Sequence, residues 1–262
     1  MMKTLHTKIG DHYIDIKTEF DDVWKIIKQY FLCVSIAKNQ PDMTVTITNG
    51  YGVSFQDYEV AIEEKLNTIT FKRADYLIEV DSEYKLANVA IHDELALKHA
   101  LMNLYSSFIV HHNWGILLHS SCVINSGKAH IFTGHSGAGK STAAKLSMPR
   151  ELLSDEATIL RITDESVTVF NSPFRSELKA KGSEKNTPLE SIQLLHQALS
   201  NQRIEVRRIE ALMKLIDKVF YWSYKPEETK TIMGLLQLLV KQVPVYELHF
   251  QKNNTFWELM SS

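Results

Sequence analysis

Cysteine is scarce in this chain: its 262 residues include only Cys33 and Cys122. Neither belongs to a metal-type cysteine pair, and two cannot build a dense disulfide framework. Zinc-ribbon and disulfide-stapled classes are thereby excluded, and two reduced, mostly buried thiols are expected. Long apolar runs are also missing. No window approaches the roughly 18 uninterrupted apolar residues that suggest a membrane span. The opening residues MMKTLHTKIGDHYIDI lack the apolar core of a secretory signal. A cytoplasmic protein with no membrane partner is the resulting expectation. An excess of charge is absent too, since the formal net charge is -2. No global basic field therefore points to nucleic acid or to an anionic membrane. Internal repeats and low-complexity segments are not found. What remains is 44% apolar and 23% charged residues, an ordinary core-forming composition, long enough for one large domain or two small ones.

The first ninety or so residues read as a strand-rich module. His12–Lys17 and Met43–Thr48 alternate apolar and polar residues as half-buried strands do. Between them, Phe20, Val23, Ile26, Ile27 and Tyr30 share one helical face, with Asp21 and Asp22 suited to a first turn. Asn49-Gly50 supplies a turn signal, and Thr68–Lys72 and Tyr76–Val80 read as further strands. The charges of this module fit a solvated surface, with no catalytic constellation among them. From Asp93 the texture changes. Asp93–His112 is apolar-periodic and reads as a core helix. An apolar strand (Ile116–Ile124), a Ser126-Gly127 turn, a strand (Ala129–Thr133), a helix (about Lys140–Leu146) and a strand (about Leu152–Arg161) follow. That order is the start of an α/β nucleotide fold. Further on, Pro188–Leu199 and Glu205–Phe220 read as helices. Pro226-Glu227-Glu228 opens another, and Val243–Phe250 reads as a last strand. The domain break is placed between residues 92 and 93. A smaller mixed α+β domain precedes it, expected to dock an acceptor or a partner.

Between the second of these strands and its helix stands the segment that carries chemistry. Gly134-His135-Ser136-Gly137-Ala138-Gly139-Lys140-Ser141 fits G-x-x-x-x-G-K-[ST] in full, followed by Thr142. By average residue usage the pattern arises by chance in roughly one such chain in a hundred. Its position after an apolar strand and before a helix argues against that accident. The glycines let successive backbone N–H groups turn toward phosphate oxygens. Lys140 supplies a cation for the β- and γ-phosphates, and the Ser141 hydroxyl ligates Mg2+. ATP and Mg2+ are therefore the expected cofactors.

A phosphate loop does not by itself distinguish a kinase from a motor ATPase or a GTPase switch. Asp155 follows Lys140 by only 15 residues, and Glu156 is adjacent. No Asn-Lys-x-Asp guanine-reading motif and no Leu-Ser-Gly-Gly transporter signature occurs. A short helix with an immediate return strand would set the acid pair beside the loop, one carboxylate for the metal and one for an incoming hydroxyl's proton. An exposed acidic turn is the alternative. His119, on the preceding strand, is placed to orient or tune Asp155, although a lone histidine at a strand end more often serves structure. Arg175 is read either as a bidentate donor to the transferred phosphoryl group or as a surface arginine. The polar segment 180–187, with Lys181 and Lys185, reads as a loop.

Taken together, Leu118-His119, Phe132–Thr142, Leu153-Ser154-Asp155-Glu156 and Asn171-Ser172-Pro173-Phe174 resemble the catalytic core of HPr kinase/phosphorylase and its stand-alone relatives. The resemblance is good over 116–174 and loose over about 95–262. Those relatives include kinases that phosphorylate ribosomally made precursor peptides such as lasso-peptide precursors. The resemblance implies an α/β, phosphoenolpyruvate carboxykinase-like P-loop domain over 93–262, with Asp155 as proton acceptor, Glu156 as metal ligand and His119 in the site. It implies γ-phosphoryl transfer from ATP to a hydroxyl, most naturally a serine of a peptide or protein. Homo-oligomers are a further expectation, because HPr kinases assemble into rings. Ser120 stands where those kinases usually have glycine, and Glu156 where they have aspartate. Their C-terminal glycine-containing signature, tied to phosphorolysis, is not found. A small-molecule kinase and a nucleotide-gated binding module with little turnover remain open beside the preferred reading.

Overall fold

The structure, a computed structural model, describes residues 1–35, 40–176, 186–222 and 224–260. The chain divides into two compact units, Met1–Phe108 and Ile109–Ser262. The sequence break at 92/93 lies ahead of that division, which falls within the long helix. The architecture is mixed α/β with two sheets.

In the first unit, among the described residues, seven strands form one sheet. They are β1 (Lys3–Ile9), β2 (His12–Thr18), β3 (Met43–Asn49), β4 (Ala61–Lys65), β5 (Thr68–Lys72), β6 (Tyr76–Asp81) and β7 (Leu86–Ile91). Their spatial order is β1-β2-β3-β7-β6-β5-β4, parallel at β2/β3 and β3/β7 and antiparallel elsewhere. Helix α1 (Asp21–Tyr30) buries Val23 and Ile27, two of the residues whose spacing predicts the helix. Helix α2 (Glu94–His111) runs across the division in the chain. The charges here are not all at the surface. Arg73 donates from Nε and Nη2 to Asp75 at 2.6 and 2.9 Å, with both side chains almost wholly buried. The guanidinium also stacks on Tyr76, 4.4 Å from the ring centre, and pairs with His99 Nδ1 at 2.8 Å. A delocalised, weakly hydrated cation tolerates burial only with partners on all sides, as here.

The second unit holds an eight-stranded sheet among the described residues. Its strands are β8 (Gly115–Asn125), β9 (Lys128–Thr133), β10 (Glu151–Ser154), β11 (Ala157–Ile162), β12 (Val167–Phe170), β13 (Thr187–Gln197), β14 (Gln202–Glu205) and β15 (Val245–Phe250). Strand β8 is long enough to serve two neighbourhoods. Its first half pairs with β11, and its second half pairs with β9 and β10. Strand β13 does the same with β12 at its start and with β9 and β15 further along. Successive residues of β9 face opposite ways. Ile131 joins a core with Leu118, Ile192 and Leu236, and Phe132 joins one with Ala143, Leu195, Phe250, Phe256 and Trp257. Helices α3 (Lys140–Leu146), α4 (Arg208–Leu215) and α5 (Pro226–Gln242) complete the unit with 3-10 turns at Ile216–Lys218 and Asn254–Met260.

Three expectations are corrected. Pro188–Leu199 is not a helix but strand β13. Its central residues are buried on both faces, so the run of apolar side chains carries no strand alternation and imitates a helical period. Leu152–Arg161 is not one strand. It breaks at Asp155-Glu156, between the end of β10 and the start of β11, just after β10 shifts register on β8 between Leu152 and Ser154. Glu205–Phe220 divides into the end of β14, α4 and a 3-10 turn.

Candidate active site

Strands β9, β13 and β15 run parallel, with Thr133 opposite Leu194 and Gln197 opposite Phe250. Their carboxyl ends share one edge, the position where open α/β sheets bind ligands. The segment Gly134–Gly139 leaves β9 at that edge and turns into α3. Gly137 (φ 80°) and Gly139 (φ 105°) are left-handed. A β-carbon on Gly139 would stand 2.8 Å from Phe250 Cζ, so both backbone and space require glycine there. Ala138, Ala143 and Ala144 are buried and anchor the segment, while His135, Ser136 and Gly137 are exposed. Lys140 arches back, its Nζ donating to Gly134 O at 3.1 Å and His135 O at 3.2 Å. Gln197 Nε2 donates to Gly137 O at 2.8 Å, and Ser121 Oγ to Lys140 O at 3.0 Å. The loop is thus tied to β13 on one side and β8 on the other.

The strand break supplies the acids. Ser154 lies opposite Cys122 and Ala157 opposite His119, so Asp155 and Glu156 occupy the step between β10 and β11. Ser120 N donates to Glu156 O at 3.0 Å and fixes that step. Asp155 is 2% exposed, and each of its oxygens accepts a 3.1 Å hydrogen bond, one from Ser176 N and one from Ser176 Oγ.

These residues meet in one cleft of about 350 Å³ lined by His119, Ser136, Gly137, Gly139, Lys140, Ser141, Thr142, Asp155, Glu156, Ser176 and Gln197. The sequence-predicted Gly134, His135 and Ala138 shape the loop from outside that lining. Burial, then the nearby Lys140 and Lys218, pushes His119 down to about 4, so it is neutral at pH 7. Its ring lies against Phe220, with centroids 5.2 Å apart. Burial and Lys218 also lower the Lys140 pKa, while Glu156 acts in the opposite direction.

Arg175 is not in the cleft lining. Its Nη2 donates to Leu153 O (3.0 Å), Leu152 O (3.3 Å) and Asn171 Oδ1 (2.6 Å). It braces β10, the strand that delivers Asp155. Nη1 is buried with no hydrogen-bond partner among the described residues. Lys181 and Lys185 lie outside the described residues. Among those described, no group of three or more histidine, cysteine or acidic side chains is placed to hold a metal. Ser141 and Glu156 nevertheless line the same cleft, and Mg2+ is commonly held by one or two carboxylates together with substrate phosphates. The donor set fits that mode.

Ser121, Ser176, Gln197 and Lys218 escaped the sequence reading. Gln197 stands at the carboxyl end of β13, a place that only the correct strand assignment reveals.

No helix among the described residues is long and apolar enough to cross a membrane. Comparison with curated proteins gives no match. The family profile described as SynChlorMet cassette protein ScmC matches residues 86–262, which is more than half of the chain and includes the whole candidate site. The chain belongs to the family of the SynChlorMet cassette protein ScmC.

Proposed function

We propose that this protein is an ATP-dependent kinase of the HPr kinase-like, P-loop type, transferring the γ-phosphoryl group to a hydroxyl, with a serine of a peptide or protein as acceptor. The observation that carries the reading is the meeting of Lys140, Ser141, Asp155 and Glu156 in one cleft at the carboxyl ends of parallel strands. Loop N–H groups and Lys140 would hold the β- and γ-phosphates. Ser141 and Glu156 would hold Mg2+, which when bound neutralises charge on those phosphates. Asp155 would take the acceptor's proton, its carboxylate oriented by Ser176. Neutral His119 adds no positive charge beside Lys140 and helps dehydrate that end of the cleft. The Arg175 brace keeps Asp155 in place without touching substrate.

The strand-rich first unit carries no candidate chemistry of its own among its described residues and is assigned to docking the acceptor or a partner. Phosphotransfer from ATP–Mg to peptide pools and to metabolite pools tests the reading. Transfer to peptide supports it, and transfer to metabolites alone favours a small-molecule kinase. ATP binding without transfer to either favours a nucleotide-gated binding module.

A further inference from the structure

The Ser176 hydroxyl lies where an acceptor hydroxyl would have to lie. Its Oγ is 3.1 Å from Asp155 Oδ2, within the 2.6–3.2 Å reach of a general base. It lines the same cleft as Lys140 and Ser141. Its backbone N–H holds the other Asp155 oxygen at 3.1 Å, so serine and carboxylate are registered at two points. The residues leading to it are fixed as well. Ser172 N donates to Leu153 O at 3.1 Å, Phe174 is buried, and Arg175 is clamped to the β10 carbonyls. A hydroxyl held this way meets a nucleotide in the cleft at a high effective concentration.

We infer that Ser176 is itself a phosphoryl acceptor, so that the protein phosphorylates its own cleft when ATP–Mg is bound; this rests on the kinase reading above. The Ser176 Oγ–phosphorus bond forms as the bond from the γ-phosphorus to the β–γ bridging oxygen breaks. That oxygen keeps the electron pair and leaves with ADP. The hydroxyl proton passes to Asp155 Oδ2. Once Asp155 has released that proton to solvent, the product is a phosphoserine beside two carboxylates, which like-charge repulsion drives away from Asp155. Self-phosphorylation would therefore unseat the Asn171–Ser176 segment from the acid pair and clear the base for an external acceptor.

The test uses the full chain with ATP–Mg and no other acceptor. Intact mass, phosphopeptide mapping and calorimetric ATP–Mg binding are measured on the same preparation. One phosphate should appear, at Ser176, with a rate constant independent of protein concentration. It should be lost in Ser176→Ala and in Asp155→Asn. Protein that binds ATP–Mg but carries no phosphate at Ser176 overturns the inference and leaves the kinase reading standing. Phosphate on Ser136, Ser141 or Thr142 instead, or a rate that rises with protein concentration, also overturns it. Absence of ATP–Mg binding removes the kinase reading and this inference together.

Discussion

The side-chain amide of Gln197 donates to the carbonyl of Gly137 at 2.8 Å, across 60 residues of sequence. It pins the outermost exposed turn of the phosphate loop to the carboxyl end of β13. A single hydrogen bond of this kind contributes about 0.5–1.5 kcal/mol. Gln197→Ala should therefore weaken ATP–Mg binding by roughly two- to tenfold while leaving the fold intact, as read by calorimetry and circular dichroism. Unchanged affinity would mean that the loop holds its shape without β13.

Gly139 is constrained twice, by a φ of 105° and by Phe250. Gly139→Ala should cost about 1–3 kcal/mol of local strain and lower both melting temperature and nucleotide affinity. Adding Phe250→Leu should relieve the steric part and leave the dihedral part. A Gly139→Ala protein as stable and as competent as the parent would contradict the loop geometry.

How much of this site was legible in the sequence depends on how local each feature is. Gly134–Thr142 is contiguous and its chemistry can be read in order; helix α3 begins and ends where the spacing predicts. Asp155, Glu156 and His119 were readable as candidates because two adjacent strands return to the same edge. Their partner Ser176 was not, because its hydrogen bonds span 21 residues and a serine after an arginine has no signature. The charge of Arg175 is visible in sequence and leaves it open between a donor to phosphate and a surface arginine, whereas the backbone carbonyls of Leu152 and Leu153 that it braces are not visible there. β13 was lost for a physical reason, burial on both faces, which erases the alternation that marks a strand. In the first unit the buried Arg73–Asp75 pair could not be told from surface charge, since only packing distinguishes them.

Three histidines, His99 and His130 buried and His119 half-buried, predict how stability responds to acid. His99, His119 and His130 are each pushed down to about 4, with burial the largest cause. An unfolded histidine takes its proton near pH 6.5. Between pH 6.5 and 4 the unfolded chain therefore binds protons that the folded chain does not, and stability falls as pH falls, by up to about 1.4 kcal/mol per pH unit for each residue. Melting temperature should drop steadily from pH 6.5 toward pH 4, and less steeply in His130→Asn. A flat profile over that window would contradict the neutral state of these rings.

The two adjacent acids should separate by phenotype. Asp155→Asn keeps shape and hydrogen bonding but removes basicity, so transfer should fall by roughly 10²–10⁴-fold with ATP–Mg binding nearly intact. Glu156→Gln should instead raise the Mg2+ concentration needed for activity. Reversed phenotypes would exchange the two roles, and parent-like transfer in both variants would remove the acid pair from the mechanism.

On the proposed reading, the Gly134–Ser141 loop holds a nucleoside triphosphate through Lys140. Isothermal titration of ATP–Mg into the parent and into Lys140→Ala tests it most directly. Loss of a charged hydrogen-bond donor worth about 1.5–3 kcal/mol should weaken binding by roughly tenfold to hundredfold, with the melting temperature in the absence of nucleotide unchanged. Equal affinity in parent and Lys140→Ala, or no binding by the parent, would contradict it.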